Sequence, residues 1–342
     1  MKILNKLRKD YKYFLAVLFI WRCFTTIGYS FHYNIYKDIN IKKSPDKRIK
    51  YYTKVLKYWD NNKYTKENKA IIYHNRGLAY YEKNDLEKAL DDFGTAIALA
   101  PENGLPYYSR ALIYKKKKND VQAIENLNEA IRIAPTFCGY YYVRGDIYAA
   151  QKNYDYAMTD YDKAIKIKPD DAWAYIHRGS AYAQQKEYDA AMANYNTAIK
   201  LEPKYGWAYY VRGNIYVKKK EYEKALADYD TSIKINKLFG RSVYNARGWT
   251  YMWMGEWKKA KRDFKKAIKL NKKTSLPYGN LGIYYWKTQK NKRKALKYYE
   301  KCFQNGFELW DTLYDDTSAG HFIGDLNQTP EFKALVEKYR SK

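Results

Sequence analysis

The sequence has few of the residues that build disulfide frameworks and metal sites. Its three cysteines, Cys23, Cys138 and Cys302, are odd in number and far apart. Their spacing matches neither a disulfide framework nor a zinc site. The four histidines are equally scattered, and none has a second ligand at metal-binding spacing. We therefore expect no bound metal and no cofactor.

Catalytic signatures are also missing. The sequence contains no glycine-rich phosphate loop, no nucleophile elbow and no paired His and Glu at the spacing of a metalloenzyme. The acidic residues of its middle part instead fall on a repeating pattern described below. These absences exclude the common enzyme classes and predict a non-enzymatic protein.

Tyrosine and positive charge are abundant. The 342 residues include 41 tyrosines, whose phenol edges prefer a wet or hydrogen-bonded rim, so the composition suits a thin solenoid better than a thick globule. The formal net charge is +27. Residues 1–69 carry 17 Lys/Arg against 5 Asp/Glu, residues 241–308 carry 18 against 4, and residues 70–240 are nearly balanced. The positive charge is therefore concentrated in two blocks.

Residues 1–40 have the pattern of a targeting segment. Basic residues precede an apolar stretch from Tyr13 to Phe31, which is about long enough to span a bilayer as a helix. Arg22 near its middle would cost about 2.5–3.5 kcal/mol on insertion. The residues are compatible with an uncleaved signal anchor, a cleaved signal peptide or a surface-lying helix. Basic residues also follow the stretch, so the charges do not fix its orientation.

From residue 70 onward the sequence repeats itself. A tyrosine stands four residues before, and another three residues after, each member of a column of small residues. These spacings place the three on one helical face, where a missing side chain lets a second helix approach closely. The column recurs at intervals of 34 or 35 residues and consists of Gly77, Ala111, Gly145, Gly179, Gly213, Gly248 and Gly282. A fixed period of this length predicts stacked helical hairpins.

A second helical pattern completes each repeat. An alanine is followed four residues later by a large residue, and three residues after that by a small one. This spacing predicts an amphipathic helix whose apolar face packs against the first helix. Prolines end the first four repeats, at Pro101, Pro135, Pro169 and Pro203.

The recurring signature of aromatic, Gly, Tyr, Ala, aromatic, Ala and Pro resembles that of the tetratricopeptide repeat (TPR) family over residues 70–305. The stretch from Gly320 to Lys338 is similar to the closing segment of bacterial, envelope-associated TPR proteins. The resemblance implies an all-α fold, a right-handed superhelical solenoid of about seven TPR helical hairpins with N- and C-terminal capping helices. The expected organisation is a signal anchor or signal peptide at 1–40, a capping helix and loop at 41–69, seven repeats at 70–308 and capping helices at 309–342.

One column departs from the family pattern. The residue before the small position is Arg in six repeats and Leu281 in the seventh. Sixteen residues after each Arg stands an Asp or Asn on the facing helix, whereas the equivalent residue of the seventh repeat, seventeen after Leu281, is Tyr298. An Arg near a helix interface needs a partner to offset desolvation, so we predict pairs within each hairpin, Arg144 with Asp160 among them. The alternative is an arginine ladder that grips a polyanion.

The TPR resemblance implies that the first helices line a concave groove, on the face opposite the tyrosine stripe. Aromatic anchors with a few polar groups are typical of a peptide-binding surface. The predicted groove residues are His74, Tyr108, Tyr142, Asp146, Trp173, Ile176, Trp207, Tyr210, Asn214 and Trp249. Lysine is absent from these positions, which disfavours the TPR clamp for a C-terminal carboxylate. The alternative is that the aromatic residues only fill solenoid surface.

The sixth and seventh repeats differ from the others because lysines coat their second helices. Interleaved tryptophans accompany these lysines, a combination that favours binding to anionic lipid, an acidic protein or nucleic acid. Anionic lipid or cell-wall polymer is favoured over nucleic acid because the same chain carries a hydrophobic N-terminal segment. A solvated basic face without a ligand is the alternative. The predicted basic face consists of Lys258, Lys259, Arg262, Lys265, Lys266 and Lys269.

Two functional hypotheses follow from the sequence. The first is a protein-interaction scaffold at the bacterial cell envelope, anchored in the inner membrane with the solenoid in the periplasm and belonging to a larger membrane machine such as a secretion or motility apparatus. The opposite, cytoplasmic orientation is also compatible with the sequence. The second is a soluble polyanion-binding module that uses the basic repeats.

Overall fold

The computed structural model describes residues 44–58, 65–235, 240–307, 313 and 323–340. The predicted signal region at 1–40 lies outside these residues. Within them the secondary structure is helical and contains no strand, so the all-α prediction is confirmed. None of the helices in this part of the chain combines the length and the apolar character that crossing a bilayer requires.

The described chain divides into two compact units, with the division between Gln151 and Lys152. The division falls inside the third repeat, between its two helices. The first unit contains α1 (Pro45–Lys57), α2 (Lys66–Glu82), α3 (Leu86–Leu99), α4 (Gly104–Lys116), α5 (Asp120–Ile133) and α6 (Cys138–Ala150). Helix α1 packs on α2, and α2/α3 and α4/α5 are the hairpins of the first two repeats.

The second unit begins with α7 (Tyr154–Ile167), the second helix of the third repeat. Four complete hairpins follow: α8 (Ala172–Gln184) with α9 (Tyr188–Leu201), α10 (Gly206–Lys218) with α11 (Tyr222–Ile235), α12 (Gly240–Trp253) with α13 (Trp257–Leu270), and α14 (Leu276–Gln289) with α15 (Lys292–Gln304). A 3-10 turn (Gly324–Gln328) and α16 (Pro330–Arg340) close the unit, and α16 packs against α15.

Within each unit, each second helix packs on the first helix of the next repeat. Neighbouring first helices also touch, in the pairs α2/α4, α8/α10, α10/α12 and α12/α14. Large rings from the second helices, among them Tyr195, Tyr229 and Phe264, are fully buried in this arrangement. The column of small residues on the first helices leaves room for these rings. A Cβ added at Gly248 would lie 2.7 Å from Cε1 of Phe264, so the two helices could not approach as closely with any larger residue.

The turn between the two helices of a hairpin contains a left-handed residue. Lys186 and Lys220 have φ angles of 64° and 61°, and Gly255 takes the equivalent place in the sixth repeat with φ 75°. An L-residue in this conformation costs free energy, and glycine is the residue that adopts it most readily. Lysine at these positions gives no turn signal, so this feature is not predictable from the sequence pattern.

Candidate functional site

The arginine column is fully engaged with the helices around it. In α8, Nε of Arg178 donates to Oδ1 of Asn194 at 2.9 Å, and its Nη1 donates to Oδ1 of Asp162 at 2.6 Å. The predicted pairing within hairpins is confirmed in five repeats, for Arg76–Asp92, Arg110–Asn126, Arg178–Asn194, Arg212–Asp228 and Arg247–Asp263. Hydrogen bonds to Asp92 raise the pKa of Arg76 above its ordinary value. Arginines held in this way disfavour the alternative of a ladder that grips a polyanion.

The pair Arg144 and Asp160 stands apart from the other five. Arg144 lies in the first unit and Asp160 in the second, and their pairing stays a prediction. Within the first unit, Nη1 of Arg144 donates to Oδ1 of Asn128 at 2.5 Å.

A second column of partners was missed by the sequence analysis. It lies two residues beyond the Asp/Asn column and receives a hydrogen bond from the arginine of the following repeat. Its members are Asn128, Asp162, Asn196 and Asp230. The sequence signal for this column is an Asp/Asn, any residue, Asp/Asn pattern in the second helices, of which the predicted pairs involve only the first position.

Two of the predicted groove residues are corrected by their burial. His74 is only 5% exposed, and its Nε2 lies 2.8 Å from Oγ of Ser109. Ile176 is 2% exposed and belongs to the apolar core around Tyr195. Both side chains fill the space between helices instead of lining a surface, because the packing of neighbouring first helices covers this position.

The remaining predicted groove residues of the first unit are half-buried. The ring of Tyr108 packs against Phe137 and Tyr140 at centroid distances of 6.1 and 5.3 Å, and burial raises its pKa to about 12. Asp146 pairs with Lys115, the Nζ to Oδ2 distance being 2.9 Å. Tyr142 is half-buried and packs against the same core as Tyr108. In this unit the half-buried groove residues thus pack against neighbouring rings or pair with a charged group.

The second unit has a more open arrangement. Trp173, at the start of α8, is 41% exposed, and its ring packs against His177 and Tyr205 at 5.9 and 5.0 Å. Trp207 is half-buried, with its ring 4.8 Å from that of Tyr210. We name these five residues the aromatic surface. His177 and Tyr205 were not among the predicted groove residues, although Tyr205 stands two residues before Trp207 and could have been found from that proximity.

The other two predicted groove residues of this unit are also half-buried. Oδ1 of Asn214 accepts a hydrogen bond from the hydroxyl of Tyr229 at 2.8 Å. Trp249 packs edge-on against Trp253 at 6.5 Å and borders the C-terminal core. These contacts place Asn214 beside Tyr229 and Trp249 beside the C-terminal core.

The basic face lies on α13. All six of its predicted residues are exposed, and the single acidic residue of this helix, Asp263, is buried against Arg247. Nζ of Lys259 lies 3.4 Å from a carboxylate oxygen of Glu256, and Nζ of Lys266 lies 5.0 Å from the ring centre of Tyr244. No group of three or more metal-ligating side chains occurs in the residues that the structure describes.

Comparisons with known proteins agree with this architecture. Models described as tetratricopeptide repeat match residues 70–103, 106–137, 206–237 and 242–273, and one described as TPR repeat matches residues 145–186 and 179–219, together more than half of the chain. No curated protein sequence matches the chain.

Several solved structures are similar in fold. Yeast Tom70 is 20% identical with a TM-score of 0.63, over 87% of this chain and 62% of that chain. The APC/C hetero-tetramer Cut9–Hcn1 is 15% identical with a TM-score of 0.58, over 69% of this chain and 45% of that chain. A tetratricopeptide repeat protein from Parabacteroides merdae is 19% identical with a TM-score of 0.52, over 76% of this chain and 98% of that chain. This chain thus spans less than two thirds of the length of the first two proteins. Because the family models match more than half of its residues, the chain belongs to the tetratricopeptide repeat family.

Proposed function

We propose that the chain is a non-enzymatic protein-interaction scaffold whose aromatic surface binds a segment of a partner protein. Membership of the TPR family supports the scaffold role. One protein of similar fold, Cut9–Hcn1, is itself a hetero-tetrameric assembly. The aromatic surface supplies a specific place on this chain for such an interaction.

The observation that carries the proposal is the exposure of Trp173 on a ring-lined surface. Tryptophan and tyrosine dominate binding energy at protein interfaces, because a large rigid side chain buries much area and loses little conformational entropy. In solvent, a tryptophan that is 41% exposed leaves apolar area that a partner can cover.

Selection from a peptide library displayed on phage, followed by affinity measurements on the selected peptides, tests the proposal. We expect Trp173→Ala with Trp207→Ala to weaken binding at least tenfold, because truncating a central aromatic anchor costs about 2 kcal/mol or more. Tyr156→Ala is the matched control, since Tyr156 is 66% exposed but lies on the second helix α7. Peptides that bind the native protein and the double variant equally well would contradict the proposal.

We further propose that the N-terminal segment anchors the scaffold to the bacterial inner membrane. The support is the sequence pattern of residues 1–40, in which basic residues precede an apolar stretch. Carbonate extraction of membranes that contain the native protein tests the anchor. The native protein is expected in the pellet, and a variant that begins after residue 40 in the supernatant. Release of the native protein by carbonate would contradict the anchor.

A second candidate function, polyanion binding, is favoured by one specific observation, the six exposed cations of the basic face. Such a surface attracts anionic partners over a distance set by ionic strength.

A further inference from the structure

Two leucines are exposed at the end of the basic face. Leu270, the last residue of α13, is 51% exposed, and Leu276, the first residue of α14, is 41% exposed. The turn of residues 271–275 joins them, and its Lys272 and Lys273 are also exposed. Aliphatic and basic side chains therefore occupy the same end of two consecutive helices.

Helix geometry places Leu270 beside the lysines of α13. At about 100° per residue, the exposed positions from Lys258 to Leu270 fall within an arc of about 140°. Leu270 lies at the edge of this arc, about one turn beyond Lys266 and on the same side of the helix as Lys259. The opposite side of the helix is buried through Ala260 and Phe264. The basic face and Leu270 thus form one continuous strip.

Few acidic groups oppose this strip. Helices α12 and α14, which pack against α13, contain no acidic residue. Within α13, Asp263 is buried and paired with Arg247, and Glu256, which precedes the helix, lies close to Lys259. Among the residues that the structure describes, these neighbours therefore leave most of the positive charge of the strip without an opposite charge.

We propose that this strip docks onto an anionic lipid bilayer, with the lysines near the headgroups and Leu270 and Leu276 entering the interface. A bilayer offers both negative charge and an apolar layer, and each exposed lysine and leucine gains free energy there. A nucleic acid backbone would satisfy the lysines but would leave the leucines in water. An acidic protein would cover the leucines only where an apolar patch adjoins its carboxylates. The inference does not depend on the peptide-binding function or on the N-terminal anchor.

A local fluorescent probe separates this contact from any membrane contact of the N-terminal segment. The environment-sensitive dye NBD is attached at Leu270→Cys in the full chain with Cys23→Ser, since Cys138 and Cys302 are buried. The control carries the dye at Leu201→Cys, the equivalent last residue of α9, which is 39% exposed. We expect a blue shift at position 270 with vesicles of phosphatidylcholine and phosphatidylglycerol, and none at position 201 or with phosphatidylcholine alone.

Charge reversal tests the electrostatic part. In the same labelled chain, Lys265→Glu, Lys266→Glu and Lys269→Glu together should weaken vesicle binding, followed by the dye at position 270, at least about tenfold. Raising the salt from about 0.05 to about 0.5 M should have a similar effect. The matched control reverses three other exposed lysines on second helices of the same unit, Lys163, Lys166 and Lys200, and should bind as the unreversed chain does.

Three results would overturn the proposal. The first is a dye at position 270 that does not respond to anionic vesicles. The second is an equal response at positions 201 and 270, which would mean that binding is non-specific. The third is a response to a DNA duplex, an RNA oligonucleotide or an acidic protein that exceeds the response to vesicles, which would assign the strip to that partner.

Discussion

Arg212 connects two neighbouring repeats through a single guanidinium group. Its Nε and Nη2 donate to the carboxylate of Asp228 at 2.8 and 2.7 Å, and its Nη1 donates to Oδ1 of Asn196, on the preceding second helix, at 2.7 Å. The planar fork of arginine suits such two-sided bonding better than the point charge of lysine. In the described residues, Arg178 and Arg247 make the same two-sided contact. The column therefore fixes how consecutive hairpins stack.

The seventh repeat shows how the pair can be replaced. Leu281 and Tyr298 occupy the positions of Arg212 and Asp228, and the Tyr298 ring stacks on Tyr285 at 5.2 Å. We predict that Arg212→Leu alone lowers the free energy of unfolding by about 3 kcal/mol, because it leaves the nearly buried Asp228 carboxylate without its cation. Adding Asp228→Tyr should recover most of this loss. Urea unfolding of the two single variants and the double variant measures these free energies. A loss in the double variant equal to the sum of the two single losses would contradict the prediction.

The small-residue column predicts opposite results for two glycine substitutions. A Cβ at Gly248 would lie 2.7 Å from the buried Phe264 ring, so Gly248→Ala should lower stability by about 1–3 kcal/mol. Gly94, in the middle of α3, has no atom within 4 Å of its added Cβ, so Gly94→Ala should raise stability by about 0.5–1 kcal/mol. Thermal unfolding compares the two. A loss of stability for Gly94→Ala, or none for Gly248→Ala, would show that the spacing argument is wrong.

The left-handed turn residues are positions where glycine should stabilise. Lys220 has φ 61° and is exposed, and the chain itself uses Gly255 at the equivalent place. We expect Lys220→Gly to raise the free energy of unfolding by about 0.5–1 kcal/mol, because relief of the αL conformation exceeds the added entropy of the unfolded chain. Lys163→Gly, inside α7, is the control and should lose about 1 kcal/mol. Equal losses in both variants would argue against a strained turn.

Cys302 should make stability depend on alkaline pH. Burial raises the pKa of its thiol from 9.0 to about 12. Below pH 9 the thiol is protonated in both states, so its contribution is fully present. Between pH 9 and 12 the unfolded chain loses the proton and the folded chain keeps it, so unfolding releases a proton and rising pH destabilises the fold by up to about 1.4 kcal/mol per pH unit. Cys302→Ala should show a shallower fall in stability between pH 9 and 11, and parallel curves would contradict this assignment.

Periodic features of this chain were predictable from its sequence. The presence of helical hairpins, the close approach at the glycine column and the Arg212–Asp228 type of pair all follow from spacing, because a 34-residue period places equivalent residues in equivalent surroundings. Leu281 and Tyr298 were informative for the same reason, since the arginine and its acceptor disappear together.

Features that depend on the packing of neighbouring repeats were less predictable. His74 and Ile176 occupy groove positions by spacing, yet the first helix of the next repeat packs over them. The spacing within one repeat does not predict this burial by a neighbouring repeat. The ring of Trp173 contacts Tyr205 at the start of the next repeat, and spacing within one repeat does not predict this contact. The second acceptor column, Asn196 among its members, becomes meaningful only when two repeats are considered together.

Site-specific photo-crosslinking tests the central claim, that the aromatic surface binds a partner protein. A photoreactive benzoylphenylalanine replaces Trp173 in one version of the full chain and Tyr156 in another, each expressed in the native host and irradiated. Both positions are exposed aromatics of the second unit, but only Trp173 belongs to the aromatic surface. We expect a discrete crosslinked product with another polypeptide from position 173 and none from position 156. No product from position 173, or the same products from both positions, would contradict the account.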